Sequence, residues 1–151
     1  MKLASFLCFA VYSASHAFNR VYRRLLDDMG LTYPQYIVMV ALWEHGELSV
    51  GEIGSELGLE SNTLTPLLKR LEAMGYISRR RSREDERQVM IALTSTGSAL
   101  RRKAAGVPNC VGTASGLTHA ELAKMTQDVL RLSAALTAYA DAAEHRESGS
   151  T

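Results

Sequence analysis

Two cysteines and six tyrosines in 151 residues carry the redox chemistry open to this chain. Cys8 lies in the apolar stretch Phe6-Leu7-Cys8-Phe9-Ala10. A thiol there is either a small packed side chain, inert because burial keeps it protonated, or, once its proton is lost, a nucleophile. Tyr12 stands one helical turn on and shares a face with Cys8. Tyr22 returns to that face 14 residues on, but about 21 Å along a straight helix. It reaches a Cys8 thiol only in a dimer whose first helices run antiparallel. Cys110 follows the helix-breaking run Gly106-Val107-Pro108. His16, His45, His119 and His145 form no ligand cluster with either cysteine, so neither a metal nor another cofactor is expected.

A second set of residues suits nucleic acid. Ser61, Asn62, Thr63 and Thr65 put small hydroxyl and amide groups at the start of a short helix, where a helix end approaches a base edge or a phosphate. Lys69 and Arg70 follow, placed for phosphates. Pro66 costs a hydrogen bond there but offers a flat apolar surface to a thymine methyl. Downstream, Arg79, Arg80, Arg81, Arg83 and Arg87 stud a hairpin. Seven basic residues against four acidic give residues 69–87 a local net charge of +3, beside −4 for residues 47–60. Alone, such a hairpin is as readily a solvated, self-neutralising turn. Beside two short helices it reads as a minor-groove or phosphate clamp.

Size and composition bound the rest. One domain is expected for this length, and a chain this long builds a core without staples. A formal net charge of +1 supplies no global basic field, so nucleic acid must be held by a local patch. Two cysteines are too few for a disulfide framework and fit a chain kept in the cytoplasm. Met1-Lys2 with Leu3 to Tyr12, then Ser15-His16-Ala17, has the look of a secretory leader. Helical patterning, however, runs on unbroken through Ala17, Val21 and Leu25. No apolar stretch is long enough to span a membrane.

The elements that must position these groups are mostly helices. The first is expected from Leu3 to Met29, closed by Gly30. Thr32-Tyr33-Pro34-Gln35 and Ser49-Val50-Gly51-Glu52 are capping boxes that open the second and third helices, closed by Gly46 and Gly58. Ser61 is expected to cap a fourth, with Leu64, Leu67, Leu68 and Leu71 on its apolar face and Gly75 at its end. Tyr76 to Arg81 and Arg87 to Leu93 read as two strands. A fifth helix starts at Thr94 or Ser95. Residues Asn109 to Gly116 are weakly patterned, either loop or loose helix. Thr118 to Glu121 is a third capping box. It opens a last helix whose Leu122, Met125, Val129, Leu132, Leu136, Tyr139 and Ala143 alternate spacings of three and four. A helix packed on its own domain is one reading, and an intersubunit seam is the favoured one, because so strict a seam wants a partner helix. The polar residues from Glu144 are expected to fray. The fold expected is mainly α with a small β-hairpin wing, a winged helix-turn-helix, with 1–30 and 95–145 as dimerisation helices and 31–94 as the DNA-binding region.

Asp85-Glu86-Arg87, with Leu93-Thr94 five residues on, resembles the wing signature of the MarR family of regulators. The resemblance covers nearly the whole chain. It implies an obligate homodimer through the terminal helices, bound to pseudo-palindromic operator DNA, with Asp85 and Arg87 paired to shape the wing. Phe6 to Ser13, Val21-Tyr22, Leu31 to Tyr36 and Thr63 to Arg70 are similar to its organic hydroperoxide resistance branch, and this set is more specific than the wing. It implies that Cys8 is the peroxide-reactive thiol of a transcriptional repressor, with Tyr22 and Tyr33 of the partner subunit, and Tyr12, supporting it. Organic hydroperoxides would be the inducer and Cys110 the resolving thiol, giving a two-cysteine sensor. Two readings compete: a repressor released by a small phenolic ligand in the dimer cleft, and a thiol peroxidase. An enzyme is not expected, since it leaves the basic helix and hairpin without a task.

Overall fold

The computed structural model describes residues 2–148. The chain packs as two compact units, Met1–Pro108 and Asn109–Thr151. Leu100 and Ala104 belong to the core of the first unit.

The first helix is shorter than its pattern. A 3-10 turn at Leu3–Ser5 precedes α1, Leu7–Leu25. Phe6 separates them, its extended backbone (φ −91°, ψ 119°) interrupting the helical run. At the other end Leu26 and Met29 turn into the core, and the chain tightens to a 3-10 turn at Asp27–Met29 before Gly30.

Helix α2, Tyr33–His45, starts at the expected box: the Thr32 amide donates to Gln35 Oε1 at 2.9 Å. Strand β1, Glu47–Ser49, follows. Three residues are too few to show alternation, which is why the sequence pattern misses it. Helix α3, Val50–Leu57, opens on the Ser49 box, with the Ser49 amide donating to Glu52 Oε2 at 2.7 Å. Those Ser49 bonds hold the Glu52 carboxyl below its usual range. Gly58 closes α3 in the left-handed region (φ 62°), as the tight turn into the next helix demands.

Helix α4, Ser61–Ala73, corrects one expectation. Glu60, not Ser61, holds the cap position, because the Thr63 and Leu64 amides both donate to the Glu60 carbonyl, at 3.0 and 2.9 Å, and winding starts one residue early. Strands β2, Ile77–Arg81, and β3, Val89–Leu93, form the wing, and β1 joins the far edge of β3 in an antiparallel sheet ordered β1-β3-β2. The Thr94 hydroxyl accepts from the Gly97 amide at 3.0 Å and caps α5, Ser95–Ala104.

Leu26, Val38, Met39, Leu42, Ile53, Leu64, Leu68, Leu71 and Ile91 are fully buried and knit α2, α3, α4 and β3 into one core. Helix α6, Val107–Ser115, settles the ambiguous stretch as helix, with Pro108 in its first turn where a missing N–H costs nothing. In the second unit the Thr118 amide donates to Glu121 Oε2 at 2.9 Å at the start of α7, His119–Ser148. That helix continues through Ser148, past the expected fraying point; residues 149–151 lie outside the described residues. No helix among the described residues is long and apolar enough to cross a membrane.

Candidate functional site

Cys8 is an exposed thiol in the first turn of α1. Helix α1 buries none of its 19 residues, and Leu7, Phe9, Val11, Tyr12 and Phe18 remain exposed. Tyr12 turns its ring edge toward His16, with centroids 4.4 Å apart. Cys110 is also an exposed thiol, on α6 in the second unit.

The tyrosines separated in sequence are brought together. The Tyr22 and Tyr33 rings lie 4.4 Å apart between centroids, joining the end of α1 to the start of α2. Tyr36 packs on Tyr22 at 5.9 Å. Burial, then the neighbouring Tyr33 and Tyr36 phenols, push the Tyr22 hydroxyl up to about 12. Tyr36 is likewise raised, first by burial and then by Tyr33. Both therefore stay protonated near neutrality and keep an O–H to donate. Tyr36 stands one turn after Tyr33 on α2, but its contact with Tyr22 depends on how α1 and α2 pack and is not legible in the sequence. Cys8 and Tyr22 sit on the same helix, separated by about 21 Å of helical rise.

The second site is a surface. Ser61, Asn62, Thr63, Pro66, Lys69 and Arg70 are exposed along α4, and Thr65 is half-buried. No side-chain oxygen caps the first turn of α4. Pro66 lies inside the helix, where its ring leaves the Asn62 carbonyl without the usual amide donor. An open concavity of about 1050 Å³ lies between Glu52 on α3, Thr65 on α4 and the wing residues Arg79 and Arg87.

The arginines of the wing divide by their company. Arg80 is held by Glu47 in a two-pronged pair, at 3.0 and 2.7 Å, which ties β2 to β1 across the sheet. Arg79 is half-buried; its guanidinium reaches only to 4.0 Å from Glu72, and its buried Nε has no hydrogen-bond partner among the described residues. Arg81, Arg83 and Arg87 are exposed and make no ion pair among the described residues. The Asp85 carboxylate shapes the turn through the main chain. Its Oδ1 accepts from the Arg87 amide at 3.0 Å and its Oδ2 from Gln88 Nε2 at 3.3 Å, leaving the Arg87 guanidinium outward.

A third group of side chains lies apart from the cysteines. Glu44, His45 and Glu56 bring their ligand-type atoms within 4.8 Å of one another, with His45 Nε2 3.1 Å from Glu56 Oε1. All three are exposed, and the contact bridges α2 and α3.

This arrangement has close relatives. A family model described as transcriptional regulator SarA/Rot matches residues 20–103. The chain is 58% identical over 117 residues to the HTH-type transcriptional regulator TtmR of Methylorubrum extorquens, covering 78% of this chain and 60% of TtmR. It is 48% identical over 118 residues to the organic hydroperoxide resistance transcriptional regulator of Bacillus subtilis, covering 78% of each. Among solved structures, reduced AbfR bound to DNA superposes with a TM-score of 0.74 at 36% identity, covering 89% of this chain and 94% of that one; AbfR is a protein of Staphylococcus epidermidis. These relatives are regulators and not enzymes, and the sheet with its two short helices is the winged helix-turn-helix expected of them. The chain belongs to the MarR family of transcriptional regulators, together with the organic hydroperoxide resistance regulators.

Proposed function

We propose that this regulator is a cytoplasmic, dimeric repressor that holds operator DNA while Cys8 is reduced and lets go when an organic hydroperoxide oxidises it. The observation that carries this reading is the Tyr22–Tyr33 ring pair, which ends a helix whose exposed Cys8 thiol stands about 21 Å of helical rise from Tyr22, so that a second copy is needed to bring thiol and phenols together. The relative named for organic hydroperoxide resistance and the DNA-bound state of AbfR support inducer and ligand. The exposed apolar side chains of α1 and, separately, those of α7 (Met125, Val129, Leu136, Tyr139) support a dimer, since such stripes are costly to leave in water.

In the dimer, the partner's phenols would donate to the Cys8 sulfur and favour its thiolate. The thiolate attacks one peroxide oxygen, the O–O bond breaks, and the leaving alkoxide takes a proton, giving Cys8 sulfenic acid and an alcohol. The Cys110 thiol then attacks that sulfur; the S–S bond forms, the S–O bond breaks and water leaves. Disulfide closure needs Cα atoms within about 7 Å, so the phenol contacts must give way and helices must shift. Ser61, Asn62, Thr63, Thr65 and Pro66 would face a groove, with Lys69, Arg70, Arg79, Arg81, Arg83 and Arg87 on phosphates or the minor groove.

The test is operator binding with and without cumene hydroperoxide. Wild-type affinity is expected to fall about 100-fold on oxidation, the upper part of the usual allosteric range. Cys8→Ser should bind equally in both conditions, and release that survives this substitution would point to a non-covalent inducer instead. Cys110→Ser should lose its Cys8 thiol at the wild-type rate yet run on to overoxidised sulfur.

A further inference from the structure

The tyrosine pair does not end at Tyr33. The Tyr22 ring packs on Tyr36 at 5.9 Å, and Tyr36 meets the edge of Trp43 at 6.2 Å, two turns further along α2. The Trp43 indole N–H donates to the Gly97 carbonyl at 2.9 Å. Gly97 stands in the first turn of α5, beside both roots of the wing. Its amide donates to the Thr94 hydroxyl, and the Thr94 amide donates to the Tyr76 carbonyl at 3.1 Å. The Thr94 hydroxyl itself donates to the Gly75 carbonyl at 2.6 Å. A Cβ on Gly97 would run into the Tyr76 carbonyl oxygen, so this approach is as close as a main chain permits.

We propose that Tyr36 and Trp43 are positioning residues that carry the state of the Tyr22–Tyr33 pair to the root of the wing. This rests on the reading of Cys8 as the sensing thiol. When the partner's sulfur stops accepting from the pair, the Tyr22 ring moves. Tyr36, only 6% exposed, cannot follow without displacing the ring beside it, because a core at crystal-like density transmits shifts rather than absorbing them. Trp43 delivers the displacement through one hydrogen bond to Gly97. The close contact of Gly97 with Tyr76 passes it to the residues that precede β2 and follow β3 together. A half-buried indole that fills space and donates one bond to a main-chain carbonyl serves this task better than a leucine would.

Trp43 is the one tryptophan of the chain, so its emission reads this point directly in the intact dimer. Equimolar cumene hydroperoxide should shift Trp43 emission with the same time course as the loss of the Cys8 thiol, with no DNA present. In Trp43→Phe, which keeps a ring and removes the donor, Cys8 should be consumed at the wild-type rate. The ratio of reduced to oxidised operator affinity should shrink about 5- to 10-fold, what one hydrogen bond carries. A merely structural tryptophan would weaken both affinities alike and leave the ratio intact. If wild-type Cys8 is consumed and operator is released while Trp43 emission stays constant, the relay is wrong and the sensing role of Cys8 stands. If Cys8 is not consumed, the sensing role fails and the relay fails with it. The emission measurement needs no variant, so it decides even if Trp43→Phe does not fold.

Discussion

Helices α1 and α2 are neighbours in one compact unit, and both are rich in apolar side chains. Yet α2 buries six of its 13 residues and α1 buries none of its 19. The difference separates two kinds of structure. Helices α2, α3 and α4 and strand β3 supply eight of the nine fully buried side chains of one core, and Leu26, just after α1, supplies the ninth. The helix that carries Cys8 packs only its last turns, through Tyr22 and Leu25, against that core and leaves Leu7, Phe9, Val11, Tyr12 and Phe18 exposed. On the proposed function, a packed output block that binds DNA, beside a helix whose apolar side chains stay exposed, is what a switch shared by two copies requires. In that reading the grip on DNA would persist as a rigid shape while the state of the sulfur alters how two such shapes are held.

The largest effect expected from breaking this contrast is in the core of the output block. Leu68→Ala removes a fully buried side chain from α4 and should cost about 2–5 kcal/mol in chemical denaturation. Phe18→Ala, on a residue 44% exposed in the single chain, should leave subunit folding nearly unchanged at a concentration where the protein is monomeric. Equal losses would erase the distinction. The next effect is on association. Val129→Glu on α7 or Phe18→Glu on α1 would place an unpaired carboxylate in the proposed interface, weakening self-association by about 100-fold or more. Sedimentation velocity would read this directly, with helix content unchanged; a dimer as tight as wild type would mean that these faces are not buried.

Within the wing the contrast is between arginines. Arg87→Ala should weaken operator binding by about 1–3 kcal/mol and lower the slope of log affinity against log salt by about one per subunit, if its outward guanidinium takes a phosphate or base. Arg80→Ala should do far less to the salt slope, since Glu47 already holds that guanidinium. Indistinguishable slopes would contradict the division. The smallest effect expected concerns pH. The Tyr22 phenol is raised from 10.0 to about 12 by burial and by its tyrosine neighbours, so folding favours its neutral form. That contribution is fully present below pH 10, where the unfolded phenol also keeps its proton, and is lost as pH rises from 10 toward 12. Tyr22→Phe should flatten this limb of the stability curve, as followed by circular dichroism.

Much of this architecture could be read from residue types. The boxes at Thr32, Ser49 and Thr118 mark helix starts because serine and threonine oxygens satisfy amides that the helix itself leaves over. The leucine stripe of α4 marks its buried face. Three features were out of reach for physical reasons. Strand β1 is too short to display a period. The start of α4 depends on two amides choosing the Glu60 carbonyl over the Ser61 hydroxyl, a competition that spacing does not decide. The Asp85 contact goes to the main-chain amide of Arg87, and a motif that names two side chains cannot show it. In the thiol site the sequence predicted that Tyr22 is too far along α1 to serve its own Cys8. It gave no sign that Tyr22, Tyr33 and Tyr36 stack together, since that follows from the turn at Asp27–Met29 folding α2 back against α1.

The central claim is that the sensing site is completed by a second copy. Mixed dimers test it most directly. One subunit carries Cys8→Ser with its tyrosines intact; the other keeps Cys8 and carries Tyr22→Phe and Tyr33→Phe. The remaining thiol then has the Tyr22 and Tyr33 phenols only on the other chain. Its rate of loss to cumene hydroperoxide should equal the wild-type rate per thiol. A rate as slow as that of the Tyr22→Phe, Tyr33→Phe homodimer would contradict the account and return the thiol to its own chain's tyrosines.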